Sequence, residues 1–276
     1  MSASKVKIGI VAPAARLHPE TAERVTALAQ TAFGARVALD VHPQCFLSDG
    51  HFAGSDAARA QAFLEYANDP SIGALWFARG GYGSGRIADA VLNGLAPAAR
   101  DKTYLGYSDG GFLLGALYRH GYRVAHGPFP HDIRRDGGEV AAARALAFLV
   151  DGDKSGREPS LDGKAPAVAF NLTILAMLIG TPLMPDLAGH VVMLEEVSEH
   201  LYAIDRMMFH ITSNEGIRRS AGIRLGRMSD IPENDRPFGQ TPEEIVRHWC
   251  AVSGIPFLGA ADIGHDSANK IVPFGK

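Results

Sequence analysis

The 276-residue sequence predicts an α/β protein, and three observations point to it. Apolar runs alternate with amphipathic stretches through the first half, the pattern of a parallel sheet covered by helices. Two glycine-rich turns, "RGGYGSGR" and "GYSDG", each follow an apolar run and open a helical stretch. A polar segment rich in Gly, Pro, Ser and charge, "DGDKSGREPSLDGK", then divides the chain at 151–164. This reads as a linker between an N-terminal α/β domain, residues 1–150, and a smaller C-terminal domain of strands and helices, residues 165–276.

Taken in order, Val6 to Val11 reads as a buried first strand. A helix follows from Pro19 to Phe33, stopped by Gly34, and then a strand over Arg36 to Val41. Ser55 is placed to cap a helix running to Tyr66, and "NDP" ends it before a third strand, Ile72 to Ala78. A helix ending near Leu95 precedes strand Thr103 to Tyr107, helix Gly111 to Arg119, strand Tyr122 to His126 and helix Glu139 to Val150. Beyond the linker the expectation is helix Leu172 to Leu178, strand His190 to Leu194, helix Tyr202 to Thr212, strand Gly222 to Leu225 and helix Pro242 to Val252. A strand-and-loop tail begins near Ile255.

Composition narrows the function. A net charge of −3 lacks the basic excess that a nucleic-acid binder needs. Cys45 and Cys250 stand alone, in no disulfide or metal spacing, which fits a reducing, cytoplasmic setting. No run approaches a membrane span of about 18 apolar residues. "MSASKVKIGIVAPAAR" has superficial features of a signal peptide, yet its apolar run is short and reads better as a strand.

Chemistry concentrates in the glycine turns. Gly106, Ser108 and Gly110 satisfy G-x-S-x-G between a strand and a helix, the setting of a nucleophile elbow, although a helix-capping serine fits the same five residues. "RGGYGSGR" occupies the same topological place but is neither a dinucleotide fingerprint nor a phosphate loop. It offers free backbone amides, or else glycines that only permit a turn. Among eleven histidines, His265 in the polar loop "GHDSAN" is the candidate base, with His126 a lesser one. Glu195, at the end of an apolar run, completes the order nucleophile, carboxylate, base.

These stretches resemble the LD-carboxypeptidases, a family that includes the microcin-immunity peptidases. The signatures are "ARGGYGSGR" at 78–86, "GYSD" at 106–109, "HGP" at 126–128, "NLTILAMLIGTPLMPD" at 171–186, "LEEVSEHLYAIDRMM" at 194–208 and "GHDSANKIVPFG" at 264–275. The resemblance implies a flavodoxin-like or Rossmann-like first domain and a Ser108–His265–Glu195 triad. It also implies an oxyanion hole from the amides of Gly81 and Asp109, and release of terminal D-alanine from cytoplasmic murein tetrapeptides in peptidoglycan recycling. No metal or other cofactor is expected, and a homodimer is the expected assembly. Arg79 and Tyr82, beside the oxyanion turn, are candidates for substrate binding, Arg79 by pairing with a terminal carboxylate. The sequence departs from the family pattern at Ala169–Asn171, where a glycine pair is expected before the asparagine, and at Gly110 and Gly111, where bulkier residues are expected. A related peptidase of the microcin-immunity type with a different substrate, an α/β-hydrolase esterase and a two-domain small-ligand receptor are the competing readings.

Overall fold

The computed structural model describes residues 5–276, organised around two sheets. The first contains β1 (Val6–Val11), β2 (Val37–Val41), β3 (Ala74–Phe77), β4 (Thr103–Gly106) and β5 (Arg123–His126). These five are mutually parallel in the order β2-β1-β3-β4-β5, the flavodoxin arrangement, with a switch point between β1 and β3. The linking helices are α1 (Pro19–Phe33), α2 (Asp56–Asn68), α3 (Ala88–Gly94), α4 (Gly111–Arg119) and α5 (Gly138–Asp151). Helices α1 and α5 cover one face through Val25, Ala29, Ala142 and Leu146. On the other face Phe63, Val91 and Leu113 of α2, α3 and α4 fill the core. The Ser55 hydroxyl caps α2 as expected, accepting from the Ala58 amide at 3.2 Å.

The second sheet is also parallel. It comprises β6 (Ala167–Asn171), β7 (Val191–Val197), β8 (Gly222–Ser229) and β9 (Phe257–Ala260), in that order. Its helices are α6 (Leu172–Leu178), α7 (Leu201–Ser213), a single turn α8 (Glu215–Arg218) and α9 (Pro242–Ser253).

Three differences from the sequence reading matter for the site. Strand β6 was not expected, because a five-residue apolar run that passes straight into a helix has no periodicity of its own. Strand β7 runs past Leu194 to Val197, since pairing with both β6 and β8 extends it; Glu195 therefore lies inside a strand and not at its end. Finally, β10 (Val272–Pro273) pairs antiparallel with β5, so the tail of the chain completes the first sheet. The 151–164 segment is mostly exposed, yet Glu158 is buried, its carboxylate accepting from the Asp262 amide at 3.1 Å and the Ser160 amide at 2.8 Å.

The two halves meet along α4 and α6. A Cβ on Gly111 would lie 3.0 Å from Ile174 Cγ2, and one on Gly115 would lie 3.2 Å from Leu178 Cδ1, so glycine lets the helices approach. Gly110 is equally constrained, with Phe77 Cδ2 at 3.0 Å from such a Cβ. The small residues after the serine are thus a packing requirement of this chain. Gly111→Val should cost about 1–3 kcal/mol of unfolding free energy through overpacking, readable as a lower urea midpoint at unchanged slope.

Candidate active site

The site gathers at the carboxyl edges of both parallel sheets. Leaving β4, the chain turns sharply at Ser108, whose φ of 51° is one of three positive values at non-glycine residues among those described. Side-chain-bearing residues seldom tolerate this region, and here it lifts the hydroxyl clear of the strand ends. Gly80 makes room, since a Cβ there would stand 3.0 Å from Ser108 Oγ.

His265 Nε2 lies 3.0 Å from Ser108 Oγ, while its Nδ1 hydrogen-bonds Glu195 Oε2. The three residues that the sequence singled out are therefore contiguous, although the serine and histidine are 157 positions apart. Glu195 is fully buried, and its Oε1 has no hydrogen-bond partner. Burial works against an imidazolium at His265, but the charge and hydrogen bond of Glu195, with help from Glu196, outweigh it and hold the pKa above the ordinary value. The ring of Tyr107, 4.9 Å away between centroids, closes one side.

A β-bulge sits opposite Glu195. The β7–β8 register advances two residues on β7, Leu194 to Glu196, against three on β8, Leu225 to Met228. Gly226 lies in the extra length, and a Cβ on it would be 3.0 Å from Glu195 Cβ. Such a bulge re-aims neighbouring side chains. The adjacent Glu196 points to the other face, where Asn171 Nδ2, the Thr173 amide and hydroxyl, and its own neighbour's amide at Val197 all donate to it. It fastens the start of α6.

Asp109 does more than its sequence position suggested. Its buried carboxylate accepts from the amides of Gly83 (3.1 Å) and Ser84 (2.8 Å), tying the glycine-rich loop to the serine turn. Arg59, fully buried, donates to the carbonyls of Pro13, Gly54 and Gly83 and pairs with Asp56. Neither role was legible, because each depends on loops brought together only by the sheet. Gly81, φ 110°, packs so closely on Ala15 that a Cβ would come within 2.8 Å of it. The Asp109 amide sits in the first turn after the serine, where helical amides lack partners within the helix. Tyr82 is exposed and packs beside His51 and Phe52. Arg79 is half-buried on the same loop.

The loop carrying His265 is held from both sides. Asn269 Oδ1 accepts from the Gly264 amide at 3.2 Å and faces His126 Nε2 at 3.1 Å; both side chains are buried. Burial presses His126 down to about 4, so near neutrality it is an uncharged donor to Asn269 and not a second base. Arg144 of α5 donates to the carbonyls of Ser267 and Asn269, and Arg227 of β8 pairs with Asp262 and Asp266. Among the described residues, no group of three or more His, Cys, Asp or Glu side chains is arranged to hold a metal ion, and no helix is long and apolar enough to cross a membrane.

Residues 8–127 match the family model of the LD-carboxypeptidase N-terminal domain, and residues 164–276 match that of its C-terminal domain. Murein tetrapeptide carboxypeptidase of Pseudomonas aeruginosa is 27% identical over 245 residues, covering 82% of this chain and 78% of that protein. The fold superposes on muramoyltetrapeptide carboxypeptidase from Oxalobacter formigenes with a TM-score of 0.81 at 21% identity, covering 98% of this chain and 93% of that one. It also superposes on MccF in complex with glutamyl sulfamoyl guanosine, TM-score 0.78 at 18% identity, covering 100% and 92%.

Asn269→Ala should leave the protein folded but lower kcat by roughly 10- to 100-fold with little change in KM. A displacement of about 1 Å at the histidine is enough for such a loss. Steady-state kinetics beside a thermal melt would check it.

Proposed function

The chain belongs to the LD-carboxypeptidase family, and from that premise we propose that it is a serine carboxypeptidase releasing terminal D-alanine from murein tetrapeptides. The observation that carries this reading is the unbroken line from Ser108 Oγ through the His265 ring to Glu195. The murein tetrapeptide carboxypeptidase relative supports the substrate class.

In this mechanism His265 Nε2 takes the proton of Ser108 as its oxygen attacks the scissile carbonyl, then returns it to the leaving amine. Glu195 fixes the ring with its proton on Nδ1 and stabilises the cation that forms. The developing oxyanion is met by the amides of Gly81 and Asp109, held in place by the Asp109 carboxylate and by Arg59. Water then frees the acyl-enzyme by the reverse proton path. The Tyr82 ring flanks the bound peptide. The peptide is a small cytoplasmic fragment of cell-wall turnover, and the working assembly is a homodimer.

Mass analysis of a murein tetrapeptide incubated with purified protein tests the reading directly. Loss of one alanine residue is expected; an intact peptide would overturn the assignment. Ser108→Ala and His265→Ala should each lower turnover by about 10⁴-fold or more, with the double variant little worse than either, because the pair acts as one unit. Additive losses would show that the two do not work together.

The acid limb of kcat/KM should also be displaced. His265 must be unprotonated to act as base, and its pKa is raised, so activity should climb with pH through a midpoint above the ordinary imidazole value of about 6.5. Glu195→Gln removes the charge that favours the imidazolium while burial persists, so this midpoint should move to lower pH as the maximal rate falls.

A further inference from the structure

The crevice between β1 and β3 lies where the strand order of the first sheet reverses, the place where open α/β sheets receive ligands. Its rim is cationic. The segment after β1 carries Arg16, the one after β3 carries Arg79, and the one after β5 carries Arg134. Backbone contacts draw the three segments together: the Ala15 amide donates to Gly80 O at 3.3 Å, and the His131 amide to Ala78 O at 3.1 Å.

Among the described residues these three arginines have neither a hydrogen-bond nor an ion-pair partner. The acids nearby are engaged elsewhere or lie outside. Glu139 pairs with Arg24, and Asp132 holds Arg135, the Tyr107 hydroxyl and the Phe129 amide. Glu20 is exposed on the adjoining cavity of about 340 Å³, which His18, Thr21, Arg24 and Arg134 also line. Burial, and then the charges of Arg134 and Arg16, pull the Arg79 pKa below its ordinary value, as expected of cations that face each other without a counter-charge. His131 is likewise pressed down to about 4 by burial and then by Arg79 and Arg134, and its buried Nδ1 has no partner. Arg59 makes the contrast. That buried guanidinium braces three backbone carbonyls, whereas Arg79 braces none.

We propose that Arg79, flanked by Arg16 and Arg134, binds the free carboxylate of the residue that leaves, which makes the enzyme release single C-terminal residues. The proposal rests on the hydrolase reading above and adds the group that sets where the peptide is cut. Gly80 approaches Ser108 Oγ to within the reach of a Cβ, and Arg79 is the next residue along. Consecutive Cα atoms are about 3.8 Å apart, so a carboxylate one residue past the attacked carbonyl falls within range of a guanidinium based one residue past Gly80. A guanidinium presents two parallel N–H groups that match the two oxygens of a carboxylate, and an amide offers only one acceptor. A peptide extended by one more residue carries its charge beyond the cluster.

The test uses the Ser108→Ala protein, so that binding is read without cleavage. Calorimetric titration with the L,D-tetrapeptide as free acid and as C-terminal amide should show the acid binding roughly ten- to a hundredfold more tightly. Arg79→Gln in the same background should erase the difference, Arg79→Lys should retain part of it, and Arg16→Gln or Arg134→Gln should each reduce it. Circular dichroism would confirm that each variant is folded. Equal affinity for acid and amide, absence of binding by either, or an acid preference that survives Arg79→Gln would overturn the proposal. Wild-type protein that left the peptide intact, while the Ser108→Ala protein still preferred the acid, would sink the hydrolase reading and uphold the carboxylate site.

Discussion

Everything at this site depends on one hydrogen bond between two sheets, from Ser108 on the first to His265 on the loop that leaves the second. A nucleophile and base on one rigid element keep their spacing whatever the rest of the molecule does. Here the spacing is a property of the interface, and a slide of one sheet past the other by the width of an atom breaks it. The surrounding structure reads as a response to that constraint. Glycines let α4 and α6 pack at close range, the closing strand β10 fastens the end of the histidine loop to β5, and Arg144 reaches across from α5 to hold the loop's carbonyls.

Burial assigns the chemistry. Glu195 is enclosed with one oxygen bonded to His265 and the other bonded to nothing, so its charge is directed at the imidazole. Glu196 is also buried but meets four donors, three of them at the start of α6, which take up its charge. His126, also buried and also near Glu195, loses its basicity to desolvation and serves as a donor. Three buried ionisable groups around the relay thus take three functions from their surroundings.

Much of this was legible in the sequence, and for local reasons. Each strand of the parallel sheet is a short apolar run ended by a turn signal, and both glycine turns announce themselves by composition. The three residues of the relay stood out because each sits in a polar or glycine-flanked stretch after an apolar one. What escaped was everything that exists only after assembly. Strand β6 runs straight into α6 with no turn signal between them, and β10 is only two residues long. Asp109 was marked only for its backbone amide, and nothing marked Arg59, the single arginine of α2, until the loops they bind were folded against them.

The tandem acids on β7 carry a final implication. Glu195 and Glu196 are identical in chemistry and adjacent in the chain, and a strand tells them apart only by parity, odd positions to one face and even to the other. The identity of the catalytic acid is therefore held in a count of residues and not in a side chain. An insertion of one residue between Val191 and Leu194 would keep every functional group and every motif letter, yet present Glu196's present duties to Glu195 and the histidine to neither in proper register. For proteins of this build, a comparison that tolerates a single-residue gap in that strand aligns the letters and loses the enzyme.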